Sequence, residues 1–318
     1  MAEVYNTLAG LVQFNDKNLA DISVSDLLDR APLLSVINTM PASNGTLHKY
    51  LKQTVASSAS FRAALDGITK VPSQDELMTV TLKIIDGSFD ADTALAKGYK
   101  DGVDAYLQLE MARTLRQMFF NVERQLIYGT KQQTGSAYLA DAAGFTGLAN
   151  STALDATGDE MVIAAGTAGA TGDSQTSVYL VRHGMDDVSL ILGNDGQFTV
   201  EDPTIIQKAG SGSGFFPAWY VAVNGWAGLQ LGGARSAARI CNIETALDDD
   251  DLYNALSLFP SGAGANAIVM NRKALKLLRQ SRTAVNPSGQ PAPMPTNLDG
   301  IPIIVTDAVR SDEPVIGA

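Results

Sequence analysis

A chain of 318 residues with 45% hydrophobic and 18% charged side chains can pack a core over about two domains and is too apolar to be disordered. Its formal net charge of −11 opposes nucleic-acid binding, although an acidic wall around packed DNA would use that same repulsion. The single cysteine, Cys241, excludes an intramolecular disulfide and sits in an apolar Arg-Ile-Cys-Asn-Ile context that favours burial over catalysis; the N-terminus has no signal-peptide pattern, and no apolar run approaches the ~18 residues of a membrane span, so the chain is expected in the cytoplasm when made.

Residues 1–45 show no compact pattern. Ser25 caps a short helix, SDLLDRAPLLSVI, with apolar positions Leu27, Leu28, Leu33, Leu34 and Ile37, which Pro32 breaks or bends. The section reads as an extended arm that packs on something else. A strand candidate follows from Thr46 to Val55, with Leu47, Leu51 and Val55 sharing a face with Lys49 and Gln53. Beyond a polar turn, ELMTVTLKIIDG alternates more cleanly. Met78, Val80, Leu82 and Ile84 lie on one side, and Thr79, Thr81 and Lys83 on the other. Residues 46–86 therefore read as a long two-stranded excursion. Such a ribbon is marginal alone in water and needs cover from its own domain or from another copy.

From Asp101 to Gly129 the periodicity changes to that of a helix. Leu107, Met111, Leu115, Met118, Val122 and Leu126 recur at steps of three and four, and Arg113, Arg116, Gln117, Arg124 and Gln125 fall mostly on the other sides. Asp101 or Asp104 is expected to cap its start, and Gly129 to supply a left-handed turn after its end. Thr130 to Thr176 is rich in Gly, Ala, Thr and Ser and reads as loop, with a short apolar helix or strand at Met161 to Ala165. SVYLVR, DVSLILG, AWYVAVNGWAGLQLGG and AARICNI then read as strands of an antiparallel sheet, punctuated by turns such as Asn194-Asp195-Gly196. The last region reads as helix LYNALSLF, strand AIVM, basic helix NRKALKLLRQSR, a proline-rich loop and strand IPIIVTDAV, which makes a small α/β unit.

Enzymatic signals are thin. His48 and His183 are far apart and form no metal-ligand spacing, and the chain has neither a G-x-S-x-G elbow nor a phosphate loop. The Gly210-x-Gly212-x-Gly214 and Gly166-x-x-Gly169-x-x-Gly172 runs do not lead from a strand into a helix, so they read as loops rather than nucleotide cradles. Asp248 to Asp251 lack calcium-loop spacing and suit a helix N-terminus. Arg272, Lys273, Lys276, Arg279 and Arg282 make one helix basic, a solvated face or a contact for an acidic patch.

The order of these parts carries more than any motif. The arm, the β excursion, the long helix ending in Tyr128-Gly129 and the GFTGL turn after it resemble the major capsid protein of tailed bacteriophages, the Hong Kong 97-type fold. SVYLVRHGMDDVSLILG, AWYVAVNGWAGLQLGGARSAARICNI, DLYNAL, AIVMNRKALKLLRQ and DGIPIIVTDAV are similar to capsid proteins of short-tailed phages. The resemblance implies an α+β fold divided into an N-terminal arm (1–45), an extended loop (46–90), a peripheral domain with the spine helix 101–129 and antiparallel strands (91–245), an axial domain (246–306) and a C-terminal tail (307–318). The strands of 177–245 precede the axial strands, whereas in the commonest family order they follow, so a rearranged connectivity is implied.

By the same resemblance, the chain is a structural shell subunit of the virion, without catalytic site, cofactor or metal. It would assemble as pentamers and hexamers around DNA that it does not read, with a separate scaffolding protein, a portal and in some relatives a decoration protein. Intersubunit contacts are expected at Leu27, Leu28, Leu33, Met78, Val80, Leu82, Ile84, Arg272, Lys276 and Arg279. An encapsulin-like cellular compartment shell and a nucleotide-binding enzyme are the alternatives, separable by the cargo inside the particle and by nucleotide-dependent thermal shifts.

Overall fold

The computed structural model describes residues 30–68, 71–132, 137–165, 172, 174–193, 198–210, 214–283 and 294–317. In chain order it holds β1 (Thr39–Pro41), β2 (Leu47–Val55), β3 (Gln74–Thr81), β4 (Lys83–Asp86), β5 (Phe89–Asp92), α1 (Thr93–Lys97), α2 (Val103–Tyr128), β6 (Val162–Ala164), β7 (Thr176–Val181), β8 (Val188–Leu192) and β9 (Thr199–Val200). There follow β10 (Thr204–Ala209), β11 (Phe215–Val221), β12 (Val223–Leu231), β13 (Ala237–Ile243), α3 (Asp249–Ser257), β14 (Ala267–Met270), α4 (Arg272–Thr283), β15 (Asn297–Leu298) and β16 (Ile301–Val305). The α+β class is as expected. Leu27, Leu28, the Asn194-Asp195-Gly196 turn and most of the proline-rich loop lie outside the described residues.

The 26-residue helix α2 threads three apolar clusters along its length. Near its start Tyr106 and Leu107 pack with Ala91 and Ala96; in the middle Met118 meets Val221 and Val223; the last third enters the main core with Phe120, Val122, Leu126, Ile127 and Tyr128. That last third is buried on nearly every side, so Glu123 and Gln125 are interior residues despite their polarity, although Gln125 falls off the apolar stripe that the period defines. Gly102, not an aspartate, occupies the N-cap and makes no side-chain cap bond; Asp104 in the first turn instead meets the positive end of the helix dipole. Gly129 closes the helix at φ +55°.

The strands read as one antiparallel sheet are shared among three. β8 and β12 lie in a sheet of order β1-β8-β12-β4, with β9 also on β12; β11 lies between β10 and β5; β7 and β13 join the six-stranded order β15-β16-β14-β7-β13-β6. A boundary at 245/246 therefore cuts through one sheet, because β14 pairs directly with β7. Within it, β14, α4 and β16 form the expected α/β unit, with β14 and β16 parallel. Of the glycine-rich run at 210–214, residues 211–213 lie outside the described residues; beside the antiparallel β10–β11 pair, the Gly210 N–H donates to the Gly214 carbonyl at 2.8 Å.

The described part of the arm, residues 30–45, packs on its own subunit rather than extending from it. Pro32 starts a 3-10 turn, Leu33–Ser35, and β1 then pairs in parallel with β8. Leu33 and Ile37 belong to the main core of the same chain. The C-terminal residues are also built in: Glu313 exchanges both backbone hydrogen bonds with Gln175, and the Asn242 side chain brackets Ile316.

Candidate functional site

β2 and β3 pair antiparallel from Leu47↔Thr81 to Val55↔Gln74 and, among the described residues, form a two-stranded sheet. The chain then changes partner at Leu82, and β4 pairs with β12 instead. One sequence run thus makes two strands, and its faces do not continue across the break. Met78 and Val80 share the ribbon face of His48 and Tyr50, since those residues pair directly.

This face is turned toward the body. The Tyr50 hydroxyl donates to the Leu231 carbonyl at 2.9 Å. The buried His48 ring accepts from the Ser43 N–H through Nδ1 at 3.3 Å and meets Gln230 Oε1 through Nε2 at 2.8 Å. Gln230 Nε2 is held by the Met185 carbonyl at 2.7 Å, which fixes Oε1 as the acceptor and His48 as the Nε2–H tautomer. Leu82 is buried against Gly193 and Gly228, where a Cβ would come within 3.2 and 2.5 Å of its side chain. Val80 reaches Gly228 as well.

Of the residues expected at subunit contacts, Leu33 and Leu82 are therefore interior to their own subunit, and Met78 and Val80 are half-buried on it. The outward positions are others. Leu51 and Leu77 are direct cross-strand partners on the opposite face, 69% and 58% exposed. Ile84 on β4 is 62% exposed. Leu77 was missed because Thr79 and Thr81 make its face look solvated in the sequence. Arg272, Lys276 and Arg279 form an exposed stripe on α4. The other two basic residues turn away from it: Arg282 forms a fork with the Asp249 carboxylate, and Lys273 donates to the Ser174 carbonyl.

Asp248 caps α3 by accepting the Asp251 N–H at 3.0 Å, so the acidic run lies at a helix N-terminus as expected. Cys241 is buried in β13, and burial pushes its thiol up to about 11.

The base of the arm is held by Glu123 of α2. Its carboxylate accepts the N–H groups of Leu33 and Leu34 at 2.9 and 3.3 Å and the Thr306 hydroxyl. These partners are uncharged. Burial raises its pKa above 4.5 more than the hydrogen bonds lower it. A carboxyl raised in this way stabilises the fold below its unfolded value, and the contribution is lost as pH rises through the folded value. Glu123→Gln keeps the acceptor toward the arm and supplies an N–H donor toward Thr306. The variant is expected to melt above the parent at pH 8, with the gap shrinking toward pH 4; a gap that widens on acidification would reverse the assignment.

The geometry is that of a body with an outward ribbon and an exposed apolar face. The full length of the chain aligns with a chain in the near-atomic cryo-EM structure of bacteriophage Epsilon15, covering 100% of this chain and 99% of that one at 18% identity, with a TM-score of 0.70. The capsid of bacteriophage JBD30 aligns over 91% of this chain and 96% of its own at 11% identity, with a TM-score of 0.52. No curated protein sequence matches it. The family model described as major capsid protein GP7 matches residues 16–317, nearly the whole sequence, and the chain belongs to that family of phage capsid proteins.

Proposed function

We propose that this capsid protein closes its shell by laying the Leu51/Leu77 face of the ribbon on a neighbouring copy, in pentamers and hexamers of an icosahedral head that encloses DNA. The observation that carries this reading is the cross-strand leucine pair, more than half exposed on a ribbon whose other face is already used. Full burial of a leucine contributes about 1.5–3 kcal/mol, and the contact recurs at every subunit, so weak single contacts sum to a stable particle. The exposed Arg272, Lys276 and Arg279 stripe and Ile84 are further candidate contacts, the first suited to an acidic surface on a chain of net charge −11. A separate scaffolding protein, a portal and a decoration protein complete the proposed partner set.

The double variant Leu51→Asp, Leu77→Asp tests the ribbon. It is expected to fold with the parent melting temperature, because neither side chain is buried in the subunit, and to sediment as free subunits at concentrations where the parent forms particles. Particles at the parent concentration would remove the ribbon face from the interface.

A further inference from the structure

Every described residue from 56 to 68, at the far end of the ribbon, is exposed. Phe61 and Leu65 have no cover at all, at 107% and 104% of their reference surface. The loop is closed at its neck, where the Ser58 N–H donates to the Val71 carbonyl at 2.9 Å and the Val71 N–H to Ser58 Oγ at 2.8 Å. At about 3.3 Å per residue, the nine residues of β2 hold this tip about 30 Å from the ribbon's root.

The tip is a loop written with a helical period. Phe61, Ala64 and Leu65 follow the i, i+3, i+4 pattern, which gathers them within about 100° of one helical face, and Ile68 follows the terminal glycine, where an apolar residue commonly packs back on the last turns. Ser60 can serve as N-cap and Gly67 as the residue after the end, and Phe61, Arg62, Ala63, Ala64, Leu65 and Asp66 between them include no β-branched residue and no proline. One turn is already present: the Asp66 N–H donates to the Ala63 carbonyl at 3.2 Å. Leu65 interrupts it at φ +69°, a left-handed conformation unfavourable for leucine and relieved in a right-handed helix.

We infer that the tip, residues 60–67, folds into a two-turn amphipathic helix when it docks on a second copy of this chain, burying Phe61, Leu65 and Ile68. A helix this short is unstable in water without an apolar partner, which is why the single subunit leaves it open. The occupant is another copy because the tip extends the ribbon that carries the Leu51/Leu77 face and its described residues have no cover from their own subunit; the inference thus rests on the proposed role of that face.

The test compares assembled particles of the full chain with free subunits by amide hydrogen exchange, together with the variants Ala63→Gly and Ala64→Gly. The amides of residues 63–67 are expected to exchange at least tenfold more slowly in particles. Each glycine is expected to raise the concentration needed for assembly by roughly fivefold, the ratio equivalent to ~1 kcal/mol of lost helix propensity, and to leave the melting temperature of the free subunit unchanged. Equal exchange in both forms, or glycine variants that assemble at the parent concentration, would overturn the inference. If the Leu51/Leu77 aspartate variant fails to assemble while the glycine variants assemble normally, only the tip helix falls; if all of them assemble normally, the ribbon reading falls with it.

Discussion

Glu313→Ala is expected to lower the unfolding free energy of the subunit by about 3–5 kcal/mol, a large share of the roughly 5–15 kcal/mol that holds a domain folded. Glu313 is fully buried near the C-terminal end of the chain and joins three elements. It pairs with Arg239 of β13 at 2.9 Å, both side chains 2% exposed, and accepts the Ser177 hydroxyl of β7 at 2.6 Å and the Tyr128 hydroxyl of α2 at 2.5 Å. Tyr128 in turn accepts the Arg310 N–H at 2.7 Å. Burial first, and the adjacent carboxylate second, hold the Tyr128 hydroxyl well above its usual range, so it stays a donor.

Alanine at 313 leaves the buried Arg239 charge without its carboxylate, held only by Ser177 Oγ and the Leu154 carbonyl, and takes the acceptor from the Tyr128 and Ser177 hydroxyls; most of the penalty comes from this uncompensated burial. The double variant Arg239→Met, Glu313→Leu removes both charges and is expected to be more stable than Glu313→Ala alone. Denaturant unfolding of the parent and both variants decides it. A loss under about 1 kcal/mol for Glu313→Ala would mean that water reaches Arg239.

Gly147→Ala is expected to cost about 3 kcal/mol or more, measured in the same way. Gly147 lies in the turn that crosses the end of α2. An added Cβ would sit 2.5 Å from the Gln125 carbonyl oxygen and the Gly129 nitrogen, and 2.8 Å from the Leu126 carbonyl oxygen. All three are backbone atoms and cannot swing aside as a side chain would, so helix and turn must separate. The rest of the turn resists that movement. Gln125 donates to the Phe145 carbonyl at 2.6 Å and accepts the Asp141 N–H at 2.9 Å, and Asn150 Oδ1 accepts the N–H groups of Thr130 and Gly147 at 2.9 and 3.0 Å. A variant within about 1 kcal/mol of the parent would show that the turn is free to lift. This packing gives a physical reason for the small residues in GFTGL, where the sequence alone offered only a resemblance.

The sequence by itself determined the local elements: the 26-residue helix with its terminal glycine, the β2–β3 ribbon, the capped helix after Asp248 and the β14–α4–β16 unit. Each follows from a repeat of two or 3.6 residues or from a cap, and such signals act within a few residues of the chain. Only the tertiary structure decided which strands share a sheet, that Met78, Val80 and Leu82 face their own body while Leu51 and Leu77 face outward, and that Glu123, Gln125 and Glu313 lie in the interior. Those choices depend on partners between 16 and 185 positions away, as Gln125–Asp141 and Tyr128–Glu313 illustrate. Periodicity states that a face is apolar or polar; only the surface brought against it determines which body covers it.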